Sequence, residues 1–368
     1  MCLFLFFNAM WSNIIGQEFV KNSITHLMQN NIIPHGLIFF GDEGFGMDAI
    51  AIRFANLITE NSSVNDNFNE KIEIKYITAL PRGKNENDSD GPLDKIPGPE
   101  FEKIKGELLK KGLNPYYKIN IPNANDIKIN SIRNIQKYLS LKPNSAQKRV
   151  VIISTAELMN ETSQNALLKN LEEPPDNTFL ILTTNNINAL RETIRSRCQE
   201  FQFAPFTEHE IEEILQRYFA KTNEETRMVN RIAEGSYLKA LELIETDVNF
   251  FLEKTISILR FGLAGKYYSC LTEINDFIKE EKEFQLVISF IIYWLYELNL
   301  SRDQFTPYYF VNYRDTIDKF NSKYGHVDIS WSIKDCENLL YKIKNTNVNL
   351  NILKFRLVML LSSIIKIK

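Results

Sequence analysis

The sequence predicts an α/β domain built on a parallel sheet, followed by a region that forms helices only. Short apolar runs at 36–40, 150–153 and 179–182 have the length of strands that are buried on both faces. Amphipathic helical stretches lie between these runs, and strands that alternate with helices are typical of a parallel sheet covered by helices. Beyond Pro205 only helical periodicity remains, which predicts a bundle.

Composition narrows the class of protein. The 368 residues are 44% hydrophobic and 24% charged, which predicts two or three globular domains with a sizeable core. The formal net charge of −3 lacks the basic excess of a dedicated nucleic-acid binder, so any contact with DNA should be local or shared with partners. The cysteines Cys2, Cys198, Cys270 and Cys336 lie far apart and predict neither a zinc pair nor a disulfide framework. We therefore expect a protein of the reducing cytoplasm.

Two apolar segments need an explanation. Residues 1–9 carry no basic region and no cleavage site of small residues, so we expect the domain to begin at Met10-Trp11, with an upstream start codon supplying the first nine residues. The run from Phe284 to Leu298 is interrupted by polar residues and is shorter than the roughly 18–20 residues of a bilayer span. It predicts a buried core helix.

A glycine-rich loop follows the first predicted strand. Gly41 and Gly46, with Gly44 between them, have the spacing of the phosphate-binding loop G-x-x-x-x-G-K-[ST], in which the lysine binds phosphate and the hydroxyl binds Mg²⁺. Here the lysine position holds Met47 and the hydroxyl position holds Asp48. Apolar residues at helical spacing follow, so the order is strand, loop, helix. From the loop alone, an ordinary glycine-rich turn before a helix remains an alternative.

The two replacements disfavour nucleotide binding. Methionine supplies no charge, and a carboxylate ~4 Å from a phosphate oxygen is repelled by about 4 kcal/mol per charge pair at an effective dielectric constant of roughly 20. Asp48 gains a structural role instead, because a carboxylate in the first turn of a helix offsets the positive end of the helix dipole by about 0.3–1 kcal/mol. We expect its carboxylate to stand where a phosphate would.

The stretch 61–112 is polar, and its middle is rich in charged and turn-forming residues, which predicts an exposed, mobile insertion. It contains no cysteine and no histidine, so tetrahedral zinc is excluded there. Beyond it, alternation predicts a strand at Tyr117, Ile119 and Ile121, and helical spacing predicts an amphipathic helix over 132–139.

Local signals set the ends of several helices. Pro174-Pro175 must end the preceding helix, since neither proline can extend the hydrogen-bond ladder. Thr207 and Glu210 form a capping box that opens another helix, and Gly235 is placed to end the next one. These signals predict a small helical module over about 206–246.

The motifs of roughly residues 11–246 resemble, in order and spacing, those of bacterial clamp-loader subunits. The resemblance rests on the run NALLKNLEEPP from Asn165 to Pro175, on Thr183-Thr184, on Arg195-Ser196-Arg197-Cys198, and on the shorter matches Ile14-Ile15-Gly16-Gln17 and Gly235-Ser236. Within that family the chain looks most like the delta-prime type of the DNA polymerase III clamp loader, which typically does not hydrolyse ATP. The resemblance implies an AAA+ P-loop domain with a parallel sheet over 11–204, a helical lid over 205–247 and an all-helical collar over 248–368.

The resemblance also implies where an ATPase site would lie, and this sequence departs from it at each position. Ser154 and Thr155 stand where the family has its Mg²⁺-binding aspartate and catalytic glutamate, and an ATPase needs both acids. Leu238 stands where motor subunits have a lid arginine for the γ-phosphate, although Lys239 beside it could reach differently. Glu157 could replace the missing acid, but the turn after the strand should direct it elsewhere. We therefore expect no nucleotide, no other cofactor and no metal.

Arg197 is the exception, because it matches the arginine finger of the family. The resemblance implies that the arginine of Ser196-Arg197-Cys198 enters the ATP site of a neighbouring subunit and stabilises charge on the γ-phosphoryl group. The alternative is a local role, in which Arg197 caps the preceding helix or pairs with Glu200. We expect Arg195 to be a solvated flank.

The implied function is that of a non-hydrolysing stator in a DNA polymerase holoenzyme. Its partners would be ATPase motor subunits and a clamp-opening subunit in a hetero-pentameric ring, which opens the sliding clamp and loads it on primed DNA without contact with a membrane. Two alternatives remain open. One is a motor-type clamp-loader ATPase with an unorthodox site, in which Asp48 ligates Mg²⁺, and the other is an adaptor of the same fold that works outside replication.

Overall fold

The computed structural model describes residues 10–59, 73–140, 148–222, 226, 229–230, 232–302, 310–346 and 348–365. The chain divides into two compact units, Met1–Glu242 and Leu243–Lys368. The expectation about an upstream start codon concerns residues outside the described ranges, as does the first part of the predicted insertion.

The first unit contains the predicted parallel sheet. Its five strands are β1 (Gly36–Phe40), β2 (Ile74–Ile77), β3 (Arg149–Ile153), β4 (Thr178–Thr184) and β5 (Gln199–Gln202). They lie in the order β2-β3-β4-β1-β5, and every neighbouring pair is parallel. The three strands predicted from apolar runs are therefore confirmed as β1, β3 and β4, and β1 is the strand that leads into the glycine loop.

Helices separate these strands along the chain, as predicted for an α/β domain. Before β1 lies α1 (Glu18–Gln29). Between strands lie α2 (Met47–Ile58), α3 (Gly98–Leu113), α4 (Ile129–Ser140), α5 (Glu161–Glu172) and the short α6 (Glu192–Arg195), and after β5 follow α7 (Glu208–Phe219) and α8 (Tyr237–Ile244). Ile38, Val151 and Leu182 of the strands share one buried cluster with Ile135 of α4 and Leu167 of α5. The core therefore joins the sheet to the helices that follow its strands.

The helix boundaries follow the predicted signals. α5 ends before Pro174-Pro175. At the start of α7, the Thr207 hydroxyl accepts from the N–H of Glu210, while the Glu210 carboxylate accepts from the N–H of Thr207 over 2.7 Å. The capping box is thus confirmed. Gly235 has a φ of +81°, a conformation that favours glycine.

The prediction of an exposed insertion holds for most side chains over 82–110, which are exposed or partly exposed, but the described part of the stretch also contains regular structure and a buried ion pair. β2 lies inside that stretch and forms the edge of the sheet beside β3. In the following loop Glu86, with 5% of its side chain exposed, forms a 2.8 Å ion pair with Lys128, with 3% exposed. Two of the charged side chains in and near this polar loop are therefore buried as an ion pair.

No strand forms at Tyr117, Ile119 and Ile121, where alternation predicted one. Side chains hold this backbone instead. Lys111 Nζ donates to the carbonyl oxygen of Tyr117 over 2.8 Å, and the N–H of Asn120 donates to a carboxylate oxygen of Glu107 over 2.8 Å. An alternating pattern reports two different faces of a segment, and it does not require a neighbouring strand.

The described residues of the second unit form helices and their connections. The α-helices are α9 (Val248–Leu263), α10 (Tyr267–Phe277), α11 (Glu281–Arg302), α12 (Arg314–Tyr324), α13 (Ser330–Asn345) and α14 (Leu350–Ser363). This arrangement agrees with the predicted all-helical region.

Helix α11 contains the apolar run that was predicted to be a core helix. Its 22 residues extend past that run at both ends, so by length and composition α11 could cross a bilayer, with a mean hydropathy of 1.3 over 18 residues. However, 61% of that window is buried inside the protein. Core helices of soluble proteins pass the same test, and the burial of Phe284, Trp294 and Leu298 agrees with the predicted core role.

Candidate functional site

The glycine loop lies between β1 and α2, with the order expected of a phosphate-binding loop. Gly44 and Gly46 have φ values of +86° and +82°, which a residue with a side chain rarely adopts. A Cβ on Gly44 would come within 2.1 Å of Ser236 Oγ, and that hydroxyl donates to the carbonyl oxygen of Glu43 over 2.7 Å. Gly41 lies against Phe203 at the end of β1. The loop is therefore packed closely against the segment that opens α8.

Asp48 is the centre of a polar network beneath this loop. Tyr76 Oη donates to Oδ2 and Thr183 Oγ1 donates to Oδ1, each over 2.7 Å. Ser154 Oγ lies 2.9 Å from Oδ2 and 3.1 Å from Oδ1. Lys111 Nζ lies 3.0 Å from Oδ2 and completes the set. Both carboxylate oxygens are therefore bound by groups of the same chain, drawn from β2, β4, α3 and the end of β3.

The electrostatics of the network keep Asp48 charged. Burial acts to raise the pKa of this carboxyl, but the charge of Lys111 and the hydrogen bonds from Thr183 and Tyr76 outweigh it, so the pKa lies below its ordinary value. Burial and the charge of Asp48 raise the pKa of Tyr76 well above its ordinary value, so the phenol remains a donor. The site thus holds a carboxylate anion with its own counterion.

Lys111 was missed by sequence reasoning, because it lies in the stretch assigned to an insertion. Only 3% of its side chain is exposed, and Nζ also donates to the carbonyl oxygens of Pro115 and Tyr117 over 3.0 and 2.8 Å. The Asp48 side chain is 22% exposed, and a partly buried carboxylate gains from a partner charge. That gain predicts a cation near Asp48, but it does not identify which of the lysines supplies it.

A cavity of about 370 Å³ adjoins the network, and its lining includes Met47, Thr155, Glu157 and Leu238. Two lysines of the described chain line it, and each has an acid partner: Lys111 pairs with Asp48, and Lys118 Nζ lies 2.5 Å from a Glu43 carboxylate oxygen.

These residues do not fit a Mg²⁺-nucleotide. Met47 brings no charge, the oxygens of Asp48 are already bound, and Ser154 offers a hydroxyl in place of an acid. Across the described residues, no group of three or more His, Cys, Asp or Glu side chains is arranged to hold a metal ion. Glu157 lines the cavity, and its buried Oε2 has no hydrogen-bond partner among the described residues.

The lid position also lacks a cation aimed at the cavity. Leu238 lines the cavity from the first turn of α8. Lys239, its neighbour, forms an ion pair with Glu234, with Nζ 2.6 Å from Oε2. Lys239 therefore has an acid partner on its own segment.

Arg197 lies just beyond α6, at the surface of the first unit. Its Nη1 donates to the carbonyl oxygen of Thr193 over 2.8 Å, and its Nη2 lies 2.9 Å from Oε1 of Glu172. Of the two local alternatives for Arg197, the contact with the end of the preceding helix is present, through Thr193 of α6. The pairing with Glu200 belongs instead to Arg195, whose Nε donates to Glu200 Oε1 over 2.9 Å. Arg195 is a surface flank, as expected, with 35% of its side chain exposed, and it also has an acid partner.

The two residues that flank Arg197 have local roles. Ser196 Oγ donates to the carbonyl oxygen of Thr193 over 3.3 Å. Burial raises the pKa of the Cys198 thiol to about 12, so the sulfur packs as a neutral group. A Cβ on Gly36 would lie 2.9 Å from Cys198 Sγ, which places the motif directly against the start of β1.

Residues 99–207 match the family model described as DNA polymerase III, delta subunit. Subunit gamma/tau of Mycoplasma pneumoniae is 27% identical over 253 residues, which cover 67% of this chain and 32% of that protein. Subunit gamma of Buchnera aphidicola subsp. Schizaphis graminum is 26% identical over 74% of this chain and 68% of that protein. Subunit delta' of Escherichia coli is 29% identical over 46% of this chain and 52% of that protein.

These similarities support a relationship between this chain and the clamp-loader subunits of DNA polymerase III. They do not favour the delta-prime type, since relatives named gamma or tau match over more of the chain. The chain spans less than two thirds of the length of the M. pneumoniae and E. coli proteins. A gamma subunit-related protein from Thermotoga maritima aligns over 93% of this chain and 99% of that chain at 14% identity and a TM-score of 0.41, which bears on neither function nor assembly.

Proposed function

We propose that this chain is a non-hydrolysing, delta-prime-type stator of a clamp loader, and that Arg197 acts in trans on the ATP site of a neighbouring subunit. The observation that carries the proposal is the network around Asp48. A group that belongs to the protein occupies the hydroxyl position of the loop, and the cation that balances it is Lys111.

The charge of Asp48 is the main obstacle to nucleotide. Because its pKa is lowered, the carboxyl is an anion at neutral pH. A phosphate oxygen brought to ~4 Å would be repelled by about 4 kcal/mol per charge pair at an effective dielectric constant of roughly 20. Lys111 could offset this repulsion only by breaking its ion pair with Asp48, and Met47 carries no charge. The Asp48–Lys111 pair, which stabilises the fold, therefore also disfavours nucleotide binding.

Arg197 has the opposite character, since it stands where another chain can reach it. Its side chain is 36% exposed, and a guanidinium offers five N–H donors in a planar fork that suits phosphate oxygens. Arginine fingers supplied in trans contribute about 10³–10⁵ in turnover in well-studied phosphoryl-transfer enzymes. The proposed partners are ATPase motor subunits and a clamp-opening subunit in a hetero-pentameric ring, acting in the cytoplasm on the sliding clamp and primed DNA.

The second candidate is a motor-type ATPase, and two observations favour it. Relatives named gamma or tau match over 64–79% of the chain. Glu157 also has a carboxylate oxygen beside the cavity with no hydrogen-bond partner among the described residues. Against it, direct ligation of Mg²⁺ by Asp48 would require breaking contacts to Lys111 or to the hydroxyl donors. An adaptor outside replication has no such specific support.

The first experiment separates stator from motor. Titration calorimetry of the isolated chain with Mg²⁺-ATP should give no saturable heat, because the charge, the metal ligands and the lid arginine are all absent. A dissociation constant in the low micromolar range, on the order of 8 kcal/mol of binding free energy, would contradict the proposal in favour of the motor.

The second experiment tests Arg197 in a reconstituted clamp loader. Arg197→Ala should assemble normally, lower clamp-stimulated ATPase in part and lower clamp loading further, because the remaining sites keep their own arginines. Arg197→Lys should be nearly as defective, since an ammonium cannot reproduce the planar fork. Arg195→Ala is the matched control and should stay near wild type. Wild-type loading by Arg197→Ala would leave the chain with an architectural role only.

A further inference from the structure

We infer that Glu172 is a positioning residue for Arg197, and that its carboxylate holds the guanidinium in place before a neighbouring subunit arrives. The inference rests on the proposed function of Arg197. Glu172 Oε1 lies 2.9 Å from Arg197 Nη2, while Arg197 Nη1 donates to the carbonyl oxygen of Thr193. The two side chains are 50% and 36% exposed, so the pair stands at the surface of the chain.

The backbone brings these two residues together through Gly36. A Cβ at this position would lie 3.1 Å from the carbonyl oxygen of Arg197 and 3.1 Å from Leu171 Cδ2. A ring nitrogen of His35 also lies 2.9 Å from the carbonyl oxygen of Leu171. The start of β1 thus contacts both the end of α5 and the segment of Arg197. Their separation is set by packing, and not by a chance meeting of flexible side chains.

The position of Glu172 is unfavourable for the helix that carries it. It is the last residue of α5, where the negative end of the helix dipole disfavours a carboxylate. Glu173 follows it and adds a second acid. Helix stability alone therefore gives no reason for an acid at this position. The side chain that gains from it is Arg197.

Two anchored nitrogens would aid a finger by limiting its freedom. An arginine side chain has many rotamers, and fixing it before association lowers the ordering cost when the complex forms. Arg197 Nη1 donates to the carbonyl oxygen of Thr193 and to Ser196 Oγ, and Nη2 faces Glu172. Of the five N–H donors of a guanidinium, Nε–H and one N–H of Nη2 then have no partner among the described residues and remain for a phosphate. Glu172 itself touches no reacting atom in this arrangement.

The test uses a reconstituted complex with its ATP-hydrolysing subunits. Glu172→Gln should lower kcat of clamp-stimulated ATPase about two- to fivefold, the range that an exposed ion pair can supply, with KM for ATP unchanged. Glu172→Asp, which keeps the charge, should recover part of the loss. Glu173→Gln, the neighbouring control, should match wild type. Adding Glu172→Gln to Arg197→Ala should cause no further loss, because the residue acts through Arg197.

The outcomes separate this inference from the proposed function. If Arg197→Ala is defective while Glu172→Gln behaves like Glu173→Gln, the positioning role is overturned and the finger stands. If Glu172→Gln raises turnover, or lowers it further in the Arg197→Ala background, the positioning role is again overturned. If Arg197→Ala itself has wild-type turnover, the finger proposal fails first. Thermal melts of each isolated variant identify a folding defect.

Discussion

At the scale of single residues, Asp48 is the charge that decides the character of the glycine loop. Its carboxylate is bound by three hydroxyl groups and by Lys111, which has 3% of its side chain exposed. A buried ion pair is weak evidence for stability by itself, but removing one partner leaves the other charge uncompensated. The pair should therefore respond much more strongly to a single substitution than a surface ion pair does.

Lys111→Met should destabilise the chain by about 3 kcal/mol, at the lower end of the range for breaking a buried pair, because the hydroxyl donors of Asp48 remain. The matched control is Lys110→Met, one residue earlier on α3, since the Lys110 side chain is 59% exposed. It should leave the free energy of unfolding close to that of wild type, because exposed ion pairs contribute little. Urea denaturation measures both. Equal losses in the two variants would show that the Asp48 network adds no stability.

Acid should weaken the fold through the same residue. Since the pKa of Asp48 is lower in the folded chain than in the unfolded chain, its stabilisation is present above the unfolded pKa of about 3.9 and is lost as the pH falls through the folded value. Asp48→Asn should be less stable than wild type at pH 7, and should lose less on acidification below pH ~4. Denaturation at a series of pH values gives the comparison. Parallel pH profiles would exclude Asp48 as a contributor.

At the scale of elements, the start of β1 determines where the Arg197 motif lies. Gly36 has no side chain, and this allows Cys198 and Leu171 to approach the strand from two other elements. The motif Ser196-Arg197-Cys198 thus depends on a small residue far away in the sequence. A change at Gly36 should act on the motif without touching Arg197 itself.

Gly36→Ala should destabilise the chain by about 1–3 kcal/mol, the usual range for overpacking, because the new Cβ would lie 2.9 Å from Cys198 Sγ. The control is Gly106→Ala in α3, where a Cβ would meet nothing within 4 Å. Removing a glycine from a helix interior should stabilise by about 0.5–1 kcal/mol. Thermal melts of both variants suffice. A neutral Gly36→Ala would mean that the contact relaxes without strain.

At the scale of the whole molecule, the proposed loss of ATP hydrolysis rests on several separate positions, so restoring one of them should not give activity. The loop lacks the lysine and the hydroxyl, Ser154 and Thr155 follow β3 in place of acids, and Leu238 stands at the lid position. These residues come from different parts of the chain and meet around one cavity. The charge of Asp48 is also balanced within the chain, because Lys111 forms an ion pair with it.

Met47→Lys combined with Asp48→Thr should therefore give no ATP turnover. It should also lower stability by about 3 kcal/mol or more, since Lys111 loses its anion while a second cation is introduced beside it. Phosphate release and urea denaturation test the two parts. Turnover above the wild-type background would indicate that Glu157 or another group replaces the missing acids, in favour of the motor reading.

The sequence by itself determined the local elements and the chemistry that is missing. A few consecutive residues are enough to identify each of three features: the strand–loop–helix order, the capping box at Thr207, and the replacement of the loop lysine by Met47. Patterns of this kind report local conformation and residue type, which depend little on the rest of the chain. They were sufficient for the fold class and for the expectation that Asp48 replaces a phosphate.

Only the tertiary structure decided which residues meet. The partner of Asp48 is Lys111, the partner of Arg197 is Glu172, and a stretch that reads as an insertion supplies the edge strand β2. Each of these pairings joins segments that are distant in sequence, so it depends on the path of the whole chain and leaves no periodic signal in either segment. A charge that becomes buried needs a partner of opposite sign, and this need can be inferred from the sequence. Which residue is the partner depends on the folded chain, because the fold sets both the distance between the charges and their desolvation.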